Sequence, residues 1–168
     1  VTLTGLLVSV GAVAAAWAGG RWALLAAAVV VLSALLDNLD GAVAVLTDRS
    51  SRWGYVLDSV VDRLSDGCYL VVLWLLGAPA WLCVVGGALM ALQEYSRARA
   101  AAAGMDEIGV VTVWERPTRV IVTAMFCLGA GLYVDAATGW ATAGAAAWVV
   151  LGLVGLTQLL LVVRRRLA

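Results

Sequence analysis

Two short segments, residues 37–45 and 54–62, decide how the rest of the chain is interpreted. They read DNLDGAVAV and GYVLDSVVD, and eight residues separate them. Asp37 and Asp40 are three residues apart and Asp58 and Asp62 are four apart, so each pair would lie on one face of a helix. Two helices meeting at this level would gather four carboxylates within apolar sequence. Such a cluster is unstable unless protons or cations neutralise it, and an all-oxygen ligand set suits Mg²⁺ or Mn²⁺.

The composition predicts a membrane protein. The chain has 168 residues, 64% of them hydrophobic, and its mean hydropathy is +1.00, well above that of soluble domains. The formal net charge is zero, so we expect no nucleic-acid partner. The three cysteines, Cys68, Cys83 and Cys127, lie in apolar runs without metal-binding spacing, and we expect them to be small packing residues. The first apolar run lacks a basic start and leads directly into further apolar segments, so we predict no cleavable signal peptide.

Six apolar segments are long enough to cross a bilayer. We therefore predict an all-α, polytopic membrane protein with six transmembrane helices in a single domain covering residues 1–168. Short polar or glycine-containing links separate the segments, and Pro117 suits the first turn of a helix. The predicted spans are residues 2–18, 22–46, 53–76, 80–103, 118–133 and 140–163.

The arginines predict the orientation. All basic residues are arginine, and if the link around Asp48 is cytoplasmic, every arginine except Arg21 lies on that side. Five tryptophans would then form an outer aromatic belt and two would mark the inner interface. We accordingly expect an integral protein of the plasma membrane whose carboxylate cluster faces the cytoplasm. The outer tryptophans are Trp17, Trp22, Trp74, Trp81 and Trp140, and the inner ones are Trp53 and Trp114.

Charged residues inside predicted spans indicate function, because burying them in a membrane costs free energy. The structural alternative is that the aspartates only pair with arginine, and Arg63 is the one basic residue embedded among them. Asp66 differs from the others. It continues the Asp58 and Asp62 face one turn deeper, and we favour structural hydrogen bonding for it over direct catalysis.

The spacing as a whole resembles a family signature. The pattern D-x2-D-G-x2-A, followed after nine residues by G-x3-D-x3-D, is similar to the signature of the CDP-alcohol phosphotransferases, and the resemblance covers essentially the whole chain. That family has six transmembrane helices. The resemblance implies that a CDP-linked alcohol, usually CDP-diacylglycerol, binds with its diphosphate on two divalent ions, Mg²⁺ or Mn²⁺. The hydroxyl of a second, small polar alcohol then attacks the β-phosphorus and CMP leaves. The resemblance also implies a homodimer.

The resemblance assigns roles to individual carboxylates and small residues. Asp37, Asp40 and Asp58 would ligate metal, and Asp62 would be the general base and a further metal ligand. The cytidine and diphosphate pocket would be lined by Asn38, Gly41, Ala44 and Gly54. Plain helix packing is the alternative explanation for the small residues, since glycine is common in membrane spans.

One position departs from the family signature. The signature alanine is normally followed by arginine, whereas Val45 follows Ala44 here. An arginine there would place a positive charge beside the nucleotide phosphates. We hypothesise that Arg49 or Arg52 supplies this charge instead.

Two basic segments predict the acceptor. Residues 95–100 read YSRARA and residues 115–119 read ERPTR, and both resemble segments of the phosphatidylinositol phosphate synthase branch in which such residues bind the acceptor phosphate. Arginine forks suit phosphate oxygens. We favour this role for Arg116 and Arg119, whereas for Arg97 anchoring at an anionic leaflet is an equal alternative. These segments indicate a phosphorylated acceptor, with inositol phosphate first and glycerol phosphate second.

Three other classes remain open at this point. Intramembrane prenyltransferases also place aspartate clusters and Mg²⁺ on a diphosphate, but they usually have more spans and a different spacing. A membrane transporter could carry intramembrane carboxylates, although the two halves of this chain do not match as inverted repeats would. A family member that has lost catalysis and kept a binding role is the third, and Val45 is its support.

Overall fold

The computed structural model describes residues 2–46, 51–105 and 111–167, with the side chains of residues 2, 3, 38 and 40–46 excepted. The described chain is helical throughout, which confirms the all-α prediction. The predicted segments 2–18 and 22–46 coincide with the first two helices, and the last helix begins three residues earlier and ends four residues later than the predicted span. The helices are α1 (Thr2–Ala18), α2 (Trp22–Leu46), α3 (Arg52–Leu75), α4 (Ala80–Ala102), α5 (Arg116–Leu132) and α6 (Ala137–Leu167), with a 3-10 turn at Val134–Ala136.

Local sequence explains where several helices begin and end. Gly19 and Gly20, with φ of 69° and 55°, form the turn after α1, and Gly77 has φ of 111° after α3. Glycine adopts this left-handed backbone without a steric penalty. Ser51 caps α3, since its hydroxyl oxygen accepts a 2.9 Å hydrogen bond from the Gly54 amide. Pro117 lies in the first turn of α5, as predicted.

Small residues let the helices pack closely. Helix α1 packs against α2 and α3, α5 lies against both α2 and α6, and α4 packs on α6. A Cβ atom added at Gly131 of α5 would lie 2.7 Å from the backbone nitrogen of Leu24 in α2, so only glycine permits this approach. Fully buried alanines line the contact between α1 and α2, among them Ala12, Ala23 and Ala26. Close backbone approach is a common way for helices to associate where lipid removes the hydrophobic driving force.

Among the described residues, one helical segment is long and apolar enough to cross a membrane, Val134–Leu167. Two shorter apolar helices, Thr4–Ala18 and Trp22–Asp37, accompany it. The count of six spans therefore stays a prediction. Cys83 and Cys127 are buried and Cys68 is half-buried, and all three are free, consistent with packing residues.

One interfacial residue was predicted wrongly. The five tryptophans assigned to the outer belt are exposed, from 37% for Trp140 to 79% for Trp17, and Trp53 is 70% exposed. Trp114 is instead fully buried. Its ring packs edge-on against Trp148 of α6, with ring centroids 5.1 Å apart. Tertiary packing against α6, which sequence position does not reveal, removes Trp114 from the interface.

Candidate active site

Three of the predicted carboxylates meet between α2 and α3. Asp37 comes from α2, and Asp58 and Asp62 come from successive turns of α3. One oxygen from each lies within 4.8 Å of the others, and all three residues are half-buried. We call Asp37, Asp58 and Asp62 the acidic cluster. The helical spacing explains the arrangement, because residues four apart share a face.

Arg116 reaches into the acidic cluster from the start of α5. Its Nη1 donates a hydrogen bond to Asp37 Oδ2 and lies 2.5 Å from Asp62 Oδ1 in an ion pair. The three side chains are between 10% and 18% exposed. Arg63 Nη2 also lies 3.5 Å from Asp62 Oδ2, so the three carboxylates of the cluster outnumber the two guanidinium groups beside it, and Arg63 is shared with Asp66 and Glu94. Such an excess, in a poorly solvated place, favours binding of a further cation.

The acidic cluster fits a divalent metal by its chemistry. Its donors are carboxylate oxygens, which Mg²⁺ and Mn²⁺ prefer. Asp37 Oδ1 is buried and has no hydrogen-bond partner among the described residues, so a lone pair is available at the cluster. The residues that would hold the ion are Asp37, Asp58 and Asp62. The side chain of Asp40 lies outside the described residues.

A second ionic group lies one turn deeper along α3. Asp66 is fully buried and accepts a 2.8 Å hydrogen bond from Arg119 Nη1, and Arg119 is fully buried as well. Arg119 Nη2 also donates to Glu94 Oε1 at 3.1 Å. Arg63 Nη1 lies 2.6 Å from the same Glu94 oxygen. We call Asp66, Arg119, Glu94 and Arg63 the buried network, and the hydrogen bond from Arg119 to Asp66 is consistent with the structural role preferred for Asp66.

The segment before α5 is tied to α4 through Glu115. Its Oε1 accepts hydrogen bonds from the Thr112 amide and hydroxyl, both at 2.9 Å, and from Arg97 Nη2 at 2.7 Å. Burial raises the pKa of Glu115, but the Thr112 hydrogen bonds and the Arg97 charge outweigh it and leave that pKa below its usual value. Glu115 is therefore ionised at neutral pH and holds Arg97 in place.

A cavity of about 860 Å³ opens beside the acidic cluster, between α3, α4 and the start of α5. Its charged wall contains three arginines and three carboxylates, and its remaining wall is mostly apolar. A polar group with negative charge can therefore sit against arginine within reach of a carboxylate. The charged lining residues are Asp62, Arg63, Glu94, Arg97, Glu115 and Arg116.

Comparison with known proteins places this site in a family. The profile of the CDP-alcohol phosphatidyltransferase family matches residues 1–163. The chain belongs to the CDP-alcohol phosphatidyltransferase family. This membership confirms the resemblance seen in the sequence and argues against the prenyltransferase and transporter alternatives.

Several curated relatives are similar to this CDP-alcohol phosphatidyltransferase family member. The archaetidylinositol phosphate synthase of Pyrococcus horikoshii is 35% identical over 126 residues, which are 71% of this chain and 65% of the relative. That of Methanothermobacter thermautotrophicus is 37% identical over 125 residues, 73% of this chain and 61% of the relative. The phosphatidylinositol phosphate synthase of Streptomyces avermitilis is 31% identical over 153 residues, 83% of this chain and 61% of the relative. The chain spans less than two thirds of the length of these relatives.

The other predicted site residues of this family member fall into three groups: some lie at the site, one lies away from the cavity, and some are outside the described residues. Gly54 lies exposed in the first turn of α3. Arg97 and Arg116 line the cavity. Arg119 does not line it, and its described contacts are to the protein itself, so a phosphate-binding role would require the buried network to open. Arg49 lies outside the described residues, as do the surroundings of Gly41 and the side chains of Asn38, Ala44 and Val45.

Sequence reasoning overlooked two residues that organise the site. Glu94 contacts Arg63 and Arg119 and lies 3.9 Å from Arg97 Nε. Gln93, fully buried, donates to Thr112 Oγ1 at 2.9 Å and to the Trp114 carbonyl at 3.2 Å. The available signal was a Gln-Glu pair directly after the apolar first half of α4, where a membrane favours neither residue.

Proposed function

We propose that the protein transfers a phosphatidyl-type group from a CDP-linked alcohol to the hydroxyl of a phosphorylated polar acceptor, releasing CMP. CDP-diacylglycerol is the first choice of donor. Inositol phosphate is the first choice of acceptor and glycerol phosphate the second. The observation that carries this proposal is the acidic cluster beside a cavity whose wall also holds arginines.

The acidic cluster supports the donor half of the reaction. Asp37, Asp58 and Asp62, with Asp40, would hold two Mg²⁺ or Mn²⁺ ions, and bound ions would neutralise the diphosphate oxygens and the leaving CMP. The half-buried setting favours this role, because electrostatic interactions strengthen where water is scarce.

Asp62 is the proposed general base. It lies in both the acidic cluster and the cavity wall, so it faces the place where an acceptor hydroxyl would sit. Its carboxylate takes the hydroxyl proton while the acceptor oxygen forms a bond to the β-phosphorus. The bond from that phosphorus to the CMP oxygen breaks, and CMP leaves with the electron pair.

Small residues at the start of the signature would seat the nucleotide. Gly41, Ala44 and Gly54, with Asn38, form the proposed cytidine and diphosphate surface. The exposure of Gly54 beside the Ser51 cap is consistent with close approach of a ligand. Arg49 or Arg52 would supply the charge that the signature arginine gives elsewhere and that Val45 cannot.

Arginines of the cavity support the phosphorylated acceptor. Arg97 and Arg116 line the cavity with Arg63, and a guanidinium fork matches phosphate geometry. Arg119 would take part only after leaving Asp66 and Glu94. The names of the relatives from Pyrococcus horikoshii and Streptomyces avermitilis both contain inositol phosphate, although one is an archaetidyl and the other a phosphatidyl product. This shared acceptor supports inositol phosphate as the first compound to test.

The membrane setting is proposed as well. We propose six transmembrane spans in one domain, insertion in the plasma membrane with the acidic cluster facing the cytoplasm, and a homodimer. The long apolar helix Val134–Leu167 and the family membership support an integral membrane protein. The arginine asymmetry supports the orientation.

A binding protein that has lost catalysis is the remaining alternative, and CMP release distinguishes it from the enzyme. The purified protein in lipid receives CDP-diacylglycerol and Mg²⁺, with inositol phosphate, glycerol phosphate, inositol, serine or glycerol as acceptor. We expect CMP release with inositol phosphate and its loss in Asp62→Asn. Donor binding without CMP release across the panel would contradict the proposal, and Val45→Arg would then test whether the missing arginine is the cause.

A further inference from the structure

The segment 112–115 is held to the rest of the protein at every residue. Gln93 of α4 donates to Thr112 Oγ1 and to the Trp114 carbonyl, and that carbonyl also accepts from Arg119 Nη2 at 3.1 Å. The Val113 amide donates to Gln158 Oε1 of α6 at 3.0 Å. These bonds satisfy polar groups of the segment that would otherwise be costly to bury, and they fix the segment to α4, α5 and α6.

Trp114 is the anchor of this segment, and a gap in α6 receives it. The Trp114 side chain is fully buried. A Cβ atom added at Gly155 would lie 2.5 Å from Trp114 Cβ, and one added at Gly152 would lie 3.6 Å from its Nε1. We call the surface formed by Gly152 and Gly155 the glycine notch. Because Trp114 Cβ is attached directly to the backbone, the segment cannot yield at that point without moving as a whole.

Arg116 follows this anchor by two residues and begins α5. Its guanidinium pairs with both Asp37 and Asp62, so the position of the Arg116 backbone bears directly on the geometry at the acidic cluster. Glu115 between them is held by Thr112 and Arg97. The start of α5 is therefore fixed on one side by α4 and on the other by α6.

We propose that Trp114 and Gly155 are positioning residues, which set Arg116 against Asp37 and Asp62 through the packing of Trp114 in the glycine notch. Arg116 then acts, beside Arg63, as an internal counter-ion of the acidic cluster and shares its carboxylates with any divalent ion that binds there. The inference rests on the proposed function for the use of Arg116 in acceptor binding. Its consequences for cation binding and for arginine exposure need no turnover.

The principal test measures Mn²⁺ affinity in lipid nanodiscs without substrate, using wild type, Arg116→Gln, Gly155→Ala and the double variant. Removing Arg116 should tighten Mn²⁺ binding by about tenfold, because a competing cation has gone. Gly155→Ala should shift the affinity in the same direction, and the double variant should bind no tighter than Arg116→Gln alone. Gly139→Ala is the matched control on α6, where an added Cβ meets nothing within 4 Å.

Two results of that titration would overturn the proposal. One is Mn²⁺ affinity in Gly155→Ala equal to wild type, which would leave the glycine notch a packing feature only. The other is additivity of the two substitutions, which would mean that they act independently. A lower unfolding midpoint alone would not support the proposal, since any packing defect lowers it.

A second measurement covers the case in which Gly155→Ala folds poorly or wild type binds no Mn²⁺. Gln93→Leu removes the hydrogen bonds to Thr112 and Trp114 while keeping a similar side-chain volume. Labelling by an arginine-specific dicarbonyl, read at Arg116 by mass spectrometry, reports its exposure, which is 16% in the structure. We expect labelling to rise severalfold in Gln93→Leu and Gly155→Ala but not in Gly139→Ala. Unchanged labelling of Arg116 in both variants would refute the proposal. If labelling rises but wild type shows no Mn²⁺ binding, that result counts against the metal part of the proposed function instead.

Discussion

The acidic cluster and the buried network use the same residue types on the same helix, yet they have different environments. Asp62 is 18% exposed, lines the cavity and faces a cluster with excess negative charge. Asp66, one turn further along α3, is fully buried and bonded to Arg119, which Glu94 also contacts. The comparison teaches that spacing along a helix puts carboxylates on one face, whereas access and partners decide which of them is available for chemistry.

The largest expected effect is on the rate of CMP release, which should depend on Asp62 far more than on Asp66. Asp62→Asn should reduce the rate of CMP release by about 10²- to 10⁴-fold, because the amide cannot accept the acceptor proton. The unfolding midpoint should change little, since Asp62 is partly exposed. A steady-state assay of CMP release, with protein amounts matched by folded fraction, checks this. A rate within tenfold of wild type would contradict the role of general base.

For the free energy of unfolding, the order of the two aspartates reverses: replacing Asp66 should have a large effect and replacing Asp62 a small one. Asp66→Ala should lower the free energy of unfolding by about 3–5 kcal/mol, because it leaves Arg119 buried without its principal partner. Equilibrium denaturation in detergent measures the change. Asp135→Ala, at an exposed position, is the matched control and should cost less than about 0.5 kcal/mol.

A paired replacement tests the cause of that loss. Asp66→Leu combined with Arg119→Met should recover most of the stability, since both fully buried charges are then removed. If Asp66→Ala is as stable as wild type, the ion pair does not hold the helices together. If the double replacement also abolishes CMP release at full stability, Arg119 has a role in substrate binding.

Addition of Mg²⁺ should also distinguish the acidic cluster from the buried network. Mg²⁺ at about 100 times its dissociation constant should raise the free energy of unfolding of wild type by about 2.7 kcal/mol. Asp58→Asn should abolish this increase and Asp66→Asn should keep it, because Asp58 belongs to the acidic cluster and Asp66 does not. Chelation should stop CMP release and Mg²⁺ should restore it. An equal loss of stabilisation in both variants would place the ion elsewhere.

The smallest expected effect concerns Glu115, which belongs to neither group and binds Arg97 and Thr112. Its pKa is below the usual 4.5, so its contribution to stability is present above pH 4.5 and is lost as the pH falls through the lowered pKa. Glu115→Gln should remove this pH dependence at a cost of less than about 1 kcal/mol at neutral pH. Unfolding midpoints between pH 3 and 7 test it, with Asp135→Asn as control. If the unfolding midpoint of Glu115→Gln depends on pH as steeply as that of wild type, other carboxyl groups cause the pH dependence.

Much of the helical architecture follows from the sequence because its determinants are local. Apolar runs, the Gly19-Gly20 turn and Pro117 fix helix bounds within a few residues in most cases. The same applies to the meeting of Asp37 with Asp58 and Asp62, which follows once two helices pack side by side. The prediction that Trp114 lies at the interface was wrong because its burial depends on the glycine notch, whose two residues lie 38 and 41 positions further along the chain.

The roles of the arginines show where sequence reasoning stops. Two short segments predict phosphate binding by Arg116 and Arg119, and by Arg97 with anchoring at the membrane as an equal alternative. The structure places Arg116 at the acidic cluster, Arg97 on Glu115 and Arg119 inside the buried network. The sequence around each arginine does not distinguish these positions, because the partner of each arginine is a carboxylate brought near by tertiary packing.

By itself, the sequence determined the helical class, the family and the residues able to hold a cation, since composition and spacing act over one or two helical turns. Tertiary structure decided which carboxylates are accessible, that Glu94 and Gln93 organise the site, and that Arg116 rather than Arg119 meets the acidic cluster. The physical reason is that burial and charge pairing depend on contacts between helices distant in sequence. Those contacts become defined only when glycine and alanine surfaces allow the helices to pack.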